Sequence, residues 1–358
     1  MTSAKSQQLI FTNDIAQAID SWAAKTLPSR IFIIADSNTA RLCLPIISKN
    51  SLAVSSAEQI VIPAGEEHKT LDTLASIWDS LCTRGATRSA AVINLGGGVV
   101  TDMGGFAAAT FKRGIRFINI PTTLLAAVDA AVGGKTGIDF NGLKNEIGAF
   151  CNAEAVIIST RFFSTLPQSE FLSGYAEMLK HSLLSGNDAY ARLTEKSPAE
   201  FSEQELLELL KESVLVKKRI VEEDPTEKGL RKALNLGHTP GHAFESWALA
   251  NGKPVPHGYA VAWGLVVDLV LSHLKLGFSS DSLRNVTSLV ENTYGRLLFD
   301  CKDYPQLIDY MRHDKKNAGD GTIAFTLLRK PGDVDVSCTA TPEEISTALD
   351  IFRDLLHI

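Results

Sequence analysis

Three of the eight histidines in this chain lie within 20 residues of one another, in the stretches LNLGHTPGHAFE and VPHGYA. They are His238, His242 and His257. Two neutral imidazoles and one carboxylate form a common catalytic zinc set that leaves one coordination position open. Glu177, in the helical stretch SGYAEMLKHSL, is the carboxylate that best suits this role. Because a lone histidine is more often a hydrogen-bonded polar residue, the residues alone leave metal binding, acid/base catalysis and packing open.

The first two of these histidines flank a helix-start pattern. Thr239 stands before Pro240, which predicts an N-cap followed by proline at the first helical position. We therefore expect His242 in the first turn of a helix and His238 just before it. Charged residues elsewhere in this half of the chain could bind an anionic ligand or form surface ion pairs of little energetic consequence. They are Lys180, Lys217, Glu227, Arg231, Lys315 and Lys316.

A glycine-rich segment, VINLGGGVVTDMGGFAAATF, has the pattern of a buried strand, a turn and a helix of small residues. Glycines in such a turn let backbone N–H groups approach a pyrophosphate at the helix N-terminus. The spacing of Gly96, Gly97 and Gly98 only approximates the dinucleotide-binding pattern, so a turn that serves tight packing is the alternative. Polar side chains also follow two other strands, in ADSN and PAGEEHK, where they could bind a ribose or cap the next helix.

Two lysines lie beside glycine or asparagine in the segment PTTLLAAVDAAVGGKTGIDFNGLKNEIGAF, which covers residues 121–150. They are Lys135 and Lys144. Lysine suits phosphate because its ammonium group is a compact charge with freely rotating donors. A solvated loop is the alternative, since single lysines are usually just exposed.

The elements that must position these residues change character along the chain. The first half alternates β-branched runs such as RIFIIAD, QIVIPAG and AAVINL with helical patterns, which predicts a parallel sheet in an α/β domain. After Leu166 and Pro167, long amphipathic stretches predict an all-α helical domain. At 358 residues the chain exceeds the roughly 250–300 that one core supports. We predict an α/β domain at 1–168 and a helical domain at 169–358.

Composition excludes several classes of function. A formal charge of −6 gives no basic field for nucleic acid, and no uninterrupted apolar run is long enough to span a membrane. The five cysteines are scattered and form no CxxC pair, so we expect free thiols and neither a disulfide framework nor a thiolate zinc site. The N-terminal stretch lacks the pattern of a signal or transit peptide. We expect a cytoplasmic protein with a small-molecule ligand.

Taken in order, the motifs resemble those of a known enzyme family. They are GGGVVTDMGGFAAAT, PTTLLAAVDAAVGGKTG, GLKNEIGAF, SGYAEMLKH, NLGHTPGHAFE, HGYAVAWG and DKKN, and the resemblance as a whole extends from about residue 30 to residue 330. Together they resemble 3-dehydroquinate synthase, the second enzyme of the shikimate pathway. The resemblance implies a Rossmann-like N-terminal domain that binds NAD, a helical domain that carries zinc or cobalt, and a homodimer. It also implies conversion of 3-deoxy-D-arabino-heptulosonate 7-phosphate, a phosphorylated sugar acid, to 3-dehydroquinate and phosphate.

Matching motifs carry the family's site residues onto this chain. The resemblance implies that Glu177, His238 and His257 hold the metal, and that His242 is not a ligand but takes part in proton transfer near the substrate phosphate. The implied NAD contacts are Asp36, Asn38, Glu66, Lys69, Gly97, Gly98, Asp102, Thr122, Thr123, Asp129, Lys144 and Thr165. The implied substrate contacts are Lys135, Asn145, Lys180, Lys217, Glu227, Arg231, Asn235, His242, one of Lys315 and Lys316, and Arg113, which reaches a neighbouring subunit's phosphate site.

One departure from the family pattern bears on the nucleotide turn. Thr101 stands where the family usually has glycine, and it would be strained there if that position needs a positive φ. Three alternatives to the implied function remain open. They are another sugar phosphate cyclase that makes a valiolone or an inosose, a metal-dependent polyol dehydrogenase of the related iron-type superfamily, and a non-catalytic binding paralogue. The anion-binding set of Lys135, Asn145 and Arg231 favours the dehydroquinate reaction over these.

Overall fold

The computed structural model describes residues 7–225, 227–313 and 322–358. The chain forms two compact units. The first consists of Met1–Pro167 and Ser202–Val214, and the second of Gln168–Phe201 and Leu215–Ile358. The two candidate substrate lysines Lys315 and Lys316 lie outside the described residues.

A parallel sheet forms the centre of the first unit. Its six strands run in the order β1-β8-β5-β4-β2-β3, and two further strands, β6 and β7, pair with each other in antiparallel fashion. The strands are β1 (Gln8–Phe11), β2 (Ile31–Asp36), β3 (Glu58–Ile62), β4 (Ala91–Gly96), β5 (Arg116–Pro121), β6 (Lys135–Phe140), β7 (Leu143–Phe150) and β8 (Ala155–Ile158).

Helices accompany the sheet because the central strands are apolar on both faces. Every residue of β4 is buried, as expected for a parallel strand covered on both sides. The helices are α1 (Ile15–Thr26), α2 (Ser37–Leu42), α3 (Leu44–Ser48), α4 (Leu52–Ser55), α5 (Leu71–Thr83) and α6 (Gly98–Thr110). In α5, Leu74, Ile77 and Leu81 recur at helical spacing and pack into one core with strand residues such as Phe32 and Ile34. The parallel sheet predicted from the sequence is confirmed.

The order of the strands around β2 creates the position at which ligands bind in open parallel sheets. β2 lies between β3 and β4, so the chain reverses its direction across the sheet at this point. In open parallel sheets, ligands bind outside the carboxyl ends of strands at such a reversal. The carboxyl ends of β2 and β4 are Asp36 and Gly96. The fold therefore places the acidic ADSN segment and the glycine-rich turn at neighbouring strand ends.

The segment that carries Lys135 and Lys144 forms a hairpin, which the sequence analysis did not predict. β6 and β7 are joined at Asn141 and Gly142, which both have positive φ, 51° and 78°. An Asn-Gly pair is the preferred centre of the tight turn that matches the twist of two antiparallel strands. The solvated-loop alternative is therefore wrong for these lysines: both are exposed, but each lies on a strand.

The second unit is predominantly helical, as predicted. Its helices are α7 (Gln168–Ser185), α8 (Asn187–Thr194), α9 (Glu203–Glu223, whose first residues belong to the first unit), α10 (His238–Ala250), α11 (His257–Leu276), α12 (Ser280–Tyr294), α13 (Tyr304–Arg312) and α14 (Pro342–Leu355). The structure adds an antiparallel pair that the sequence analysis did not predict, β9 (Ile323–Lys330) and β10 (Asp333–Ala340). The run IAFTLLRK is buried over most of its length, so it reads equally as strand or helix from hydrophobicity alone.

Helix α11 is the core of the second unit. In the described part of the chain, α11 is the one helix whose length and composition would allow it to cross a membrane. However, 72% of its most apolar window is buried inside the protein. Core helices of folded domains pass the same test, so this is weak evidence for a membrane span.

Helix α10 begins two residues earlier than the Thr-Pro pattern predicted. Its N-cap is Gly237, which has left-handed backbone geometry, and His238 is the first helical residue. Pro240 is then the third helical residue, where its missing N–H costs nothing because the first turn has no intrahelical acceptor for it. The prediction of a Thr239 N-cap was wrong, because a left-handed glycine ends the preceding segment instead.

Candidate active site

Three side chains of the second unit bring their polar atoms together at helix positions far apart in sequence. Glu177 projects from the middle of α7, whereas His238 and His257 are the first residues of α10 and α11. Glu177 Oε1 lies 3.4 Å from His238 Nε2 and 3.8 Å from His257 Nε2. Glu177 is buried, and this oxygen accepts no hydrogen bond within the described part of the chain. A buried carboxylate oxygen facing two imidazole nitrogens suits a cation.

The far nitrogen of each of these two imidazoles is held by an acceptor. His238 Nδ1 lies 3.1 Å from the carbonyl oxygen of Leu236, and His257 Nδ1 lies 3.0 Å from Glu245 Oε2. Both partners can only accept, so Nδ1 carries the proton and each Nε2 lone pair is directed towards Glu177. Metal-ligating histidines characteristically donate their other N–H in this way.

Charge also favours the neutral, ligating form of His238. Burial, and then the neighbouring Lys180 ammonium, lower the pKa of His238 well below its ordinary value. Lys180 is buried one turn along α7 and forms an ion pair with Glu177 Oε2. A neutral imidazole is the form that binds a metal, so the donor set of Glu177, His238 and His257 fits a divalent ion.

His242 belongs to the same cluster, and geometry alone gives it two possible tasks. Its ring centroid lies 5.4 Å from that of His238 and 5.8 Å from that of His257. Ligand nitrogens of the three histidines all lie within 4.8 Å of one another. A set of three histidines could therefore hold a metal as well as the set that includes Glu177, and the ligand assignment remains a prediction.

A second polar group of this unit surrounds the short 3₁₀ turn Leu230–Asn235. Arg231 is buried and its Nη1 donates to the Pro225 carbonyl oxygen over 2.9 Å. Asn235 Nδ2 donates to Glu227 Oε1 over 3.4 Å. Glu227 has a φ of 58°, an uncommon backbone conformation for a residue with a side chain. The turn thus brings together three of the predicted substrate contacts.

In the first unit, the glycine-rich turn ends β4 and opens α6 without a side-chain cap. Gly97 is the N-cap, and Gly98 is the first helical residue. The N–H groups of this first turn are therefore left without a capping side chain, which makes the helix start suitable for an anion. Gly97 also lies against Thr123, because a Cβ on Gly97 would stand 3.2 Å from Thr123 Cγ2.

Thr101 does not strain this turn. It lies within α6, where its Oγ1 donates to the Gly98 carbonyl oxygen over 3.2 Å, and its φ is not positive. The strain considered for Thr101 from the sequence is therefore absent, because helical geometry accommodates a β-branched residue at this position.

Three predicted contacts form a buried polar cluster beside α6. Lys69 Nζ donates to Asp102 Oδ2 over 2.7 Å and to Asn145 Oδ1 over 2.6 Å. Burial raises the pKa of Asp102 to about 6, although Lys69 acts in the opposite direction. Asn145 has a φ of 55° and its backbone N–H donates to Asp139. The cluster joins two implied NAD contacts to one implied substrate contact.

Other predicted contacts occupy varied positions in the first unit. The Asp36 carboxylate caps α2, accepting from the N–H groups of Asn38 and Thr39 over 2.8 Å each, so the helix-cap alternative describes its contacts in this structure. Among the remaining predicted contacts, the Glu66 carboxylate lies 3.9 Å from Lys69 Nζ, and Thr122 is buried. The hydroxyl groups of Thr123 and Thr165 form hydrogen bonds with nearby backbone groups. Asp129 lies in a π-helical turn, and Arg113 is exposed with a φ of 69°.

Family models match most of the chain. The model described as 3-dehydroquinate synthase N-terminal matches residues 59–173, and the one described as 3-dehydroquinate synthase C-terminal matches residues 174–317. The 3-dehydroquinate synthase of Parabacteroides distasonis is 47% identical over 98% of this chain and 99% of its own length. That of Pyrococcus abyssi is 45% identical over 80% of this chain and 82% of its own.

The chain belongs to the 3-dehydroquinate synthase family. The family resemblance drawn from the motifs is therefore confirmed.

Solved structures share the fold over nearly the whole chain. A 2-deoxy-scyllo-inosose synthase complexed with carbaglucose-6-phosphate, NAD+ and Co2+ has a TM-score of 0.83 at 22% identity, with 98% of each chain covered. ValA, a 2-epi-5-epi-valiolone synthase from Streptomyces hygroscopicus with NAD+ and Zn2+ bound, has a TM-score of 0.82 at 25% identity, covering 99% of this chain and 98% of its own. These likenesses confirm the predicted fold class.

Sequence reasoning missed the groups that hold the histidines in place. Glu245, which accepts from His257 Nδ1, lies three positions after His242 on α10, and this helical spacing could have identified it. Ser173 accepts the Gly258 N–H over 2.9 Å, next to His257. Asp268 is buried in α11 and accepts the Gly237 N–H over 2.6 Å. The last two contacts join distant segments, so nothing in the local sequence indicates them.

Proposed function

We propose that this protein is a 3-dehydroquinate synthase that converts 3-deoxy-D-arabino-heptulosonate 7-phosphate to 3-dehydroquinate and phosphate. The observation that carries the chemistry is the convergence of Glu177, His238 and His257, with both imidazole Nδ1 atoms already committed to acceptors. These three groups would hold a divalent ion such as zinc or cobalt.

A divalent metal held by Glu177, His238 and His257 would supply Lewis-acid chemistry, which lowers the pKa of a substrate hydroxyl. The residues of the chain prepare this chemistry. Glu245 and the Leu236 carbonyl orient the two rings, and burial keeps His238 neutral. Lys180 places a positive charge beside Glu177, where it can neutralise developing negative charge on the substrate.

The proposed NAD site lies at the uncapped start of α6. The N–H groups of its first turn suit a diphosphate, and this turn lies at the carboxyl ends of the central strands. NAD bound at this turn would supply a hydride acceptor that is regenerated in each turnover, in keeping with a reaction that has no net redox change. We assign the first-unit residues predicted from the family, including Lys69, Asp102 and Thr123, to this site.

The remaining residues are assigned to substrate binding and proton transfer. Arg231 offers a planar guanidinium fork for the substrate carboxylate, a task that lysine performs less well. Lys135 and Asn145 supply donors for the phosphate group as its charge increases on elimination. His242 lies close enough to the two ligand imidazoles to move a proton at the reacting carbon or at the departing phosphate.

Competing activities are less well supported. Curated relatives with high identity over most of the chain are 3-dehydroquinate synthases, whereas the inosose and valiolone synthases are similar mainly in fold. A simple polyol dehydrogenase would have little use for the buried Arg231 and the polar group around it. We also infer a cytoplasmic homodimer, in which Arg113 reaches the phosphate site of the neighbouring subunit.

Reconstitution tests this proposal. The chelator-stripped protein is assayed for phosphate release from 3-deoxy-D-arabino-heptulosonate 7-phosphate, with NAD and zinc added back separately and together. We expect release only when both are present, and its loss in His238→Ala. Turnover of sedoheptulose 7-phosphate instead of the heptulosonate would identify another cyclase, and no release from either substrate would overturn the proposal.

A further inference from the structure

One peptide group connects His238 to a buried carboxyl group on another helix. The peptide between Leu236 and Gly237 uses both of its polar atoms. Its carbonyl oxygen accepts from His238 Nδ1 over 3.1 Å, and its N–H donates to Asp268 Oδ2 over 2.6 Å. Hydrogen bonds in series polarise one another, so an acceptor at the N–H end strengthens the carbonyl as an acceptor at the other end.

Asp268 lies in an apolar environment, where burying a carboxyl group costs free energy. It is fully buried in the middle of α11, among residues such as Leu265 and Leu271. Its Oδ1 atom has no hydrogen-bond partner in the described ranges, whereas its Oδ2 atom accepts from the Gly237 N–H. A buried polar group with one unsatisfied atom costs free energy, so its contact with the Gly237 N–H is the natural reason for its presence.

The backbone around this peptide is fixed in a form that only glycine allows. Gly237 has a φ of 78°, and a Cβ there would stand 2.8 Å from the Leu265 side chain and 2.9 Å from the Val261 carbonyl oxygen. Both of those residues belong to α11, the helix that carries Asp268. Close contact with α11 therefore turns the Gly237 N–H inward and leaves the Leu236 carbonyl facing His238.

The other predicted ligand is supported in a similar way over a shorter path. His257 Nδ1 donates directly to the carboxylate of Glu245 over 3.0 Å. For His238 the path from imidazole to carboxyl group passes through one peptide. Both imidazoles are therefore oriented by a carboxyl group behind them, an arrangement that tunes metal ligands and raises their basicity.

We propose that Asp268 is a positioning residue for His238, acting through the Leu236–Gly237 peptide to aim the imidazole at the metal. The inference rests on the proposed function only in requiring a metal site at Glu177, His238 and His257. It assigns Asp268 no contact with substrate or cofactor. The alternative is a purely structural role, in which Asp268 only fastens the start of α10 to α11.

Metal affinity distinguishes the two roles without relying on turnover. Chelator-stripped wild type, Asp268→Ala, Asp268→Leu, Asp268→Asn and Glu245→Ala are compared by equilibrium dialysis against Zn2+ and by the visible spectrum of bound Co2+. Leucine branches at the same atom as aspartate and keeps the site filled, so it carries the comparison if the alanine variant does not fold. Ser272→Ala is the control, because Ser272 is buried one turn along α11 and bonds the Asp268 backbone and the Leu328 N–H.

Loss of outer hydrogen-bond partners typically lowers metal affinity about 10- to 100-fold. We expect a loss of about 10-fold or more for the folded alanine or leucine variant, with an altered Co2+ spectrum. Asparagine keeps an oxygen that can accept the Gly237 N–H, so its affinity should stay close to that of wild type. Glu245→Ala should lose affinity too. Ser272→Ala should unfold at a lower temperature but bind Zn2+ as wild type does.

Wild-type affinity in a folded Asp268→Ala or Asp268→Leu protein would overturn the inference, as would an asparagine variant as weak as alanine. These results are separable from those that bear on the proposed function. A wild-type protein that binds Zn2+ but releases no phosphate contradicts the proposed function, while the affinity comparison still decides the role of Asp268. An active wild type whose affinity is insensitive to Asp268 contradicts only the inference.

Discussion

His238 and His242 lie one turn apart on α10, and we propose different tasks for them because their contacts differ. His238 has its Nδ1 held by the Leu236 carbonyl and its Nε2 directed at the buried carboxylate of Glu177. His242 stands beside this pair with its ring edge-on to that of His238. The first arrangement suits a metal ligand. Under the proposed function, His242 is the imidazole that exchanges a proton with the substrate.

Replacing His238 or His242 with alanine distinguishes metal binding from proton transfer. His238→Ala should lose bound metal, whereas His242→Ala should keep its metal and lose turnover by about 10²- to 10⁴-fold, the usual contribution of an acid/base group. Metal content by elemental analysis and phosphate release by steady-state assay are measured on the same preparations. If His242→Ala released the metal and Glu177→Gln retained it, the three histidines would be the ligands.

The buried Asp102 predicts a specific dependence of stability on pH. Burial raises its pKa from 3.8 to about 6, so between these values the folded protein keeps a proton that the unfolded chain has released. Its contribution to the free energy of unfolding is full below about pH 4 and is lost as the pH rises through about 6. The shift corresponds to up to roughly 3 kcal/mol.

Asp102→Asn removes this titration. The free energy of unfolding of wild type minus that of Asp102→Asn should therefore fall between about pH 4 and pH 6, as measured by urea denaturation at several pH values. Asp79→Asn, exposed on α5, is the control and should give a constant difference. A difference that stays constant for Asp102→Asn, or grows with pH, contradicts the assignment.

At the residue level, the sequence identifies groups that lie in recognisable motifs and misses groups that act through space. Glu177 and the three histidines were selected from spacing and residue type, and the structure brings them together. Asp268 contacts Gly237, 31 positions away, and only the packing of two helices creates that contact. Strain at Thr101 depended on a positive φ at that position, and the sequence alone does not give the residue at which the turn ends and α6 begins. The ligand set itself stays a prediction.

Helices α10 and α11, which carry the predicted ligands His238 and His257, make a close backbone contact. Gly264 of α11 faces α10, where a Cβ would stand 2.7 Å from the Gly241 nitrogen. No real Cβ approaches backbone so closely, so any side chain here must push the helices apart. Because His238 and His257 begin these two helices, their separation depends on this contact.

Two glycine-to-alanine variants should therefore behave differently. Gly264→Ala should lower the free energy of unfolding by about 1–3 kcal/mol or more, the usual cost of overpacking. Gly98→Ala should fold normally, since its Cβ would make an ordinary contact with Ala130 at 3.5 Å, but should bind NAD more weakly. Urea denaturation and calorimetric titration with NAD measure both effects. Normal stability of Gly264→Ala, or normal NAD affinity of Gly98→Ala, would contradict the respective account.

At the element level, long periodic segments were predictable and short paired strands were not. The central strands of the sheet can be predicted because they are apolar runs that lie between helical patterns. The sequence analysis did not predict the hairpin of β6 and β7, although Asn141 and Gly142 form a strong turn signal, because glycines and exposed lysines in this segment are also typical of a loop. The start of α10 was misplaced because a left-handed Gly237 cap has no side-chain signature that outweighs a Thr-Pro pair.

At the scale of the whole molecule, the order of the motifs predicted the family, and the family was confirmed over most of the chain. A single sequence does not give the state of assembly. Several large apolar side chains of the β6 and β7 hairpin are exposed, including Leu143 at 58% and Phe150 at 78%. Exposed apolar clusters are typical of surfaces that contact another chain.

A dimer should therefore be detectable in solution. Native mass spectrometry should give twice the chain mass, and Phe150→Glu should shift the protein towards the monomer without lowering its unfolding temperature. A wild-type monomer at micromolar concentrations would contradict the homodimer. A stable dimer of Phe150→Glu would instead place the interface elsewhere.

The most direct test of the account follows NADH and products in one reaction. The metal-loaded protein is given 3-deoxy-D-arabino-heptulosonate 7-phosphate with NAD far below the substrate concentration, and NADH absorbance, phosphate and the cyclised product are followed together. The account predicts that nearly all substrate becomes 3-dehydroquinate and phosphate while no NADH accumulates, since each hydride is returned. Accumulation of NADH until NAD is exhausted, with little phosphate formed, would contradict it.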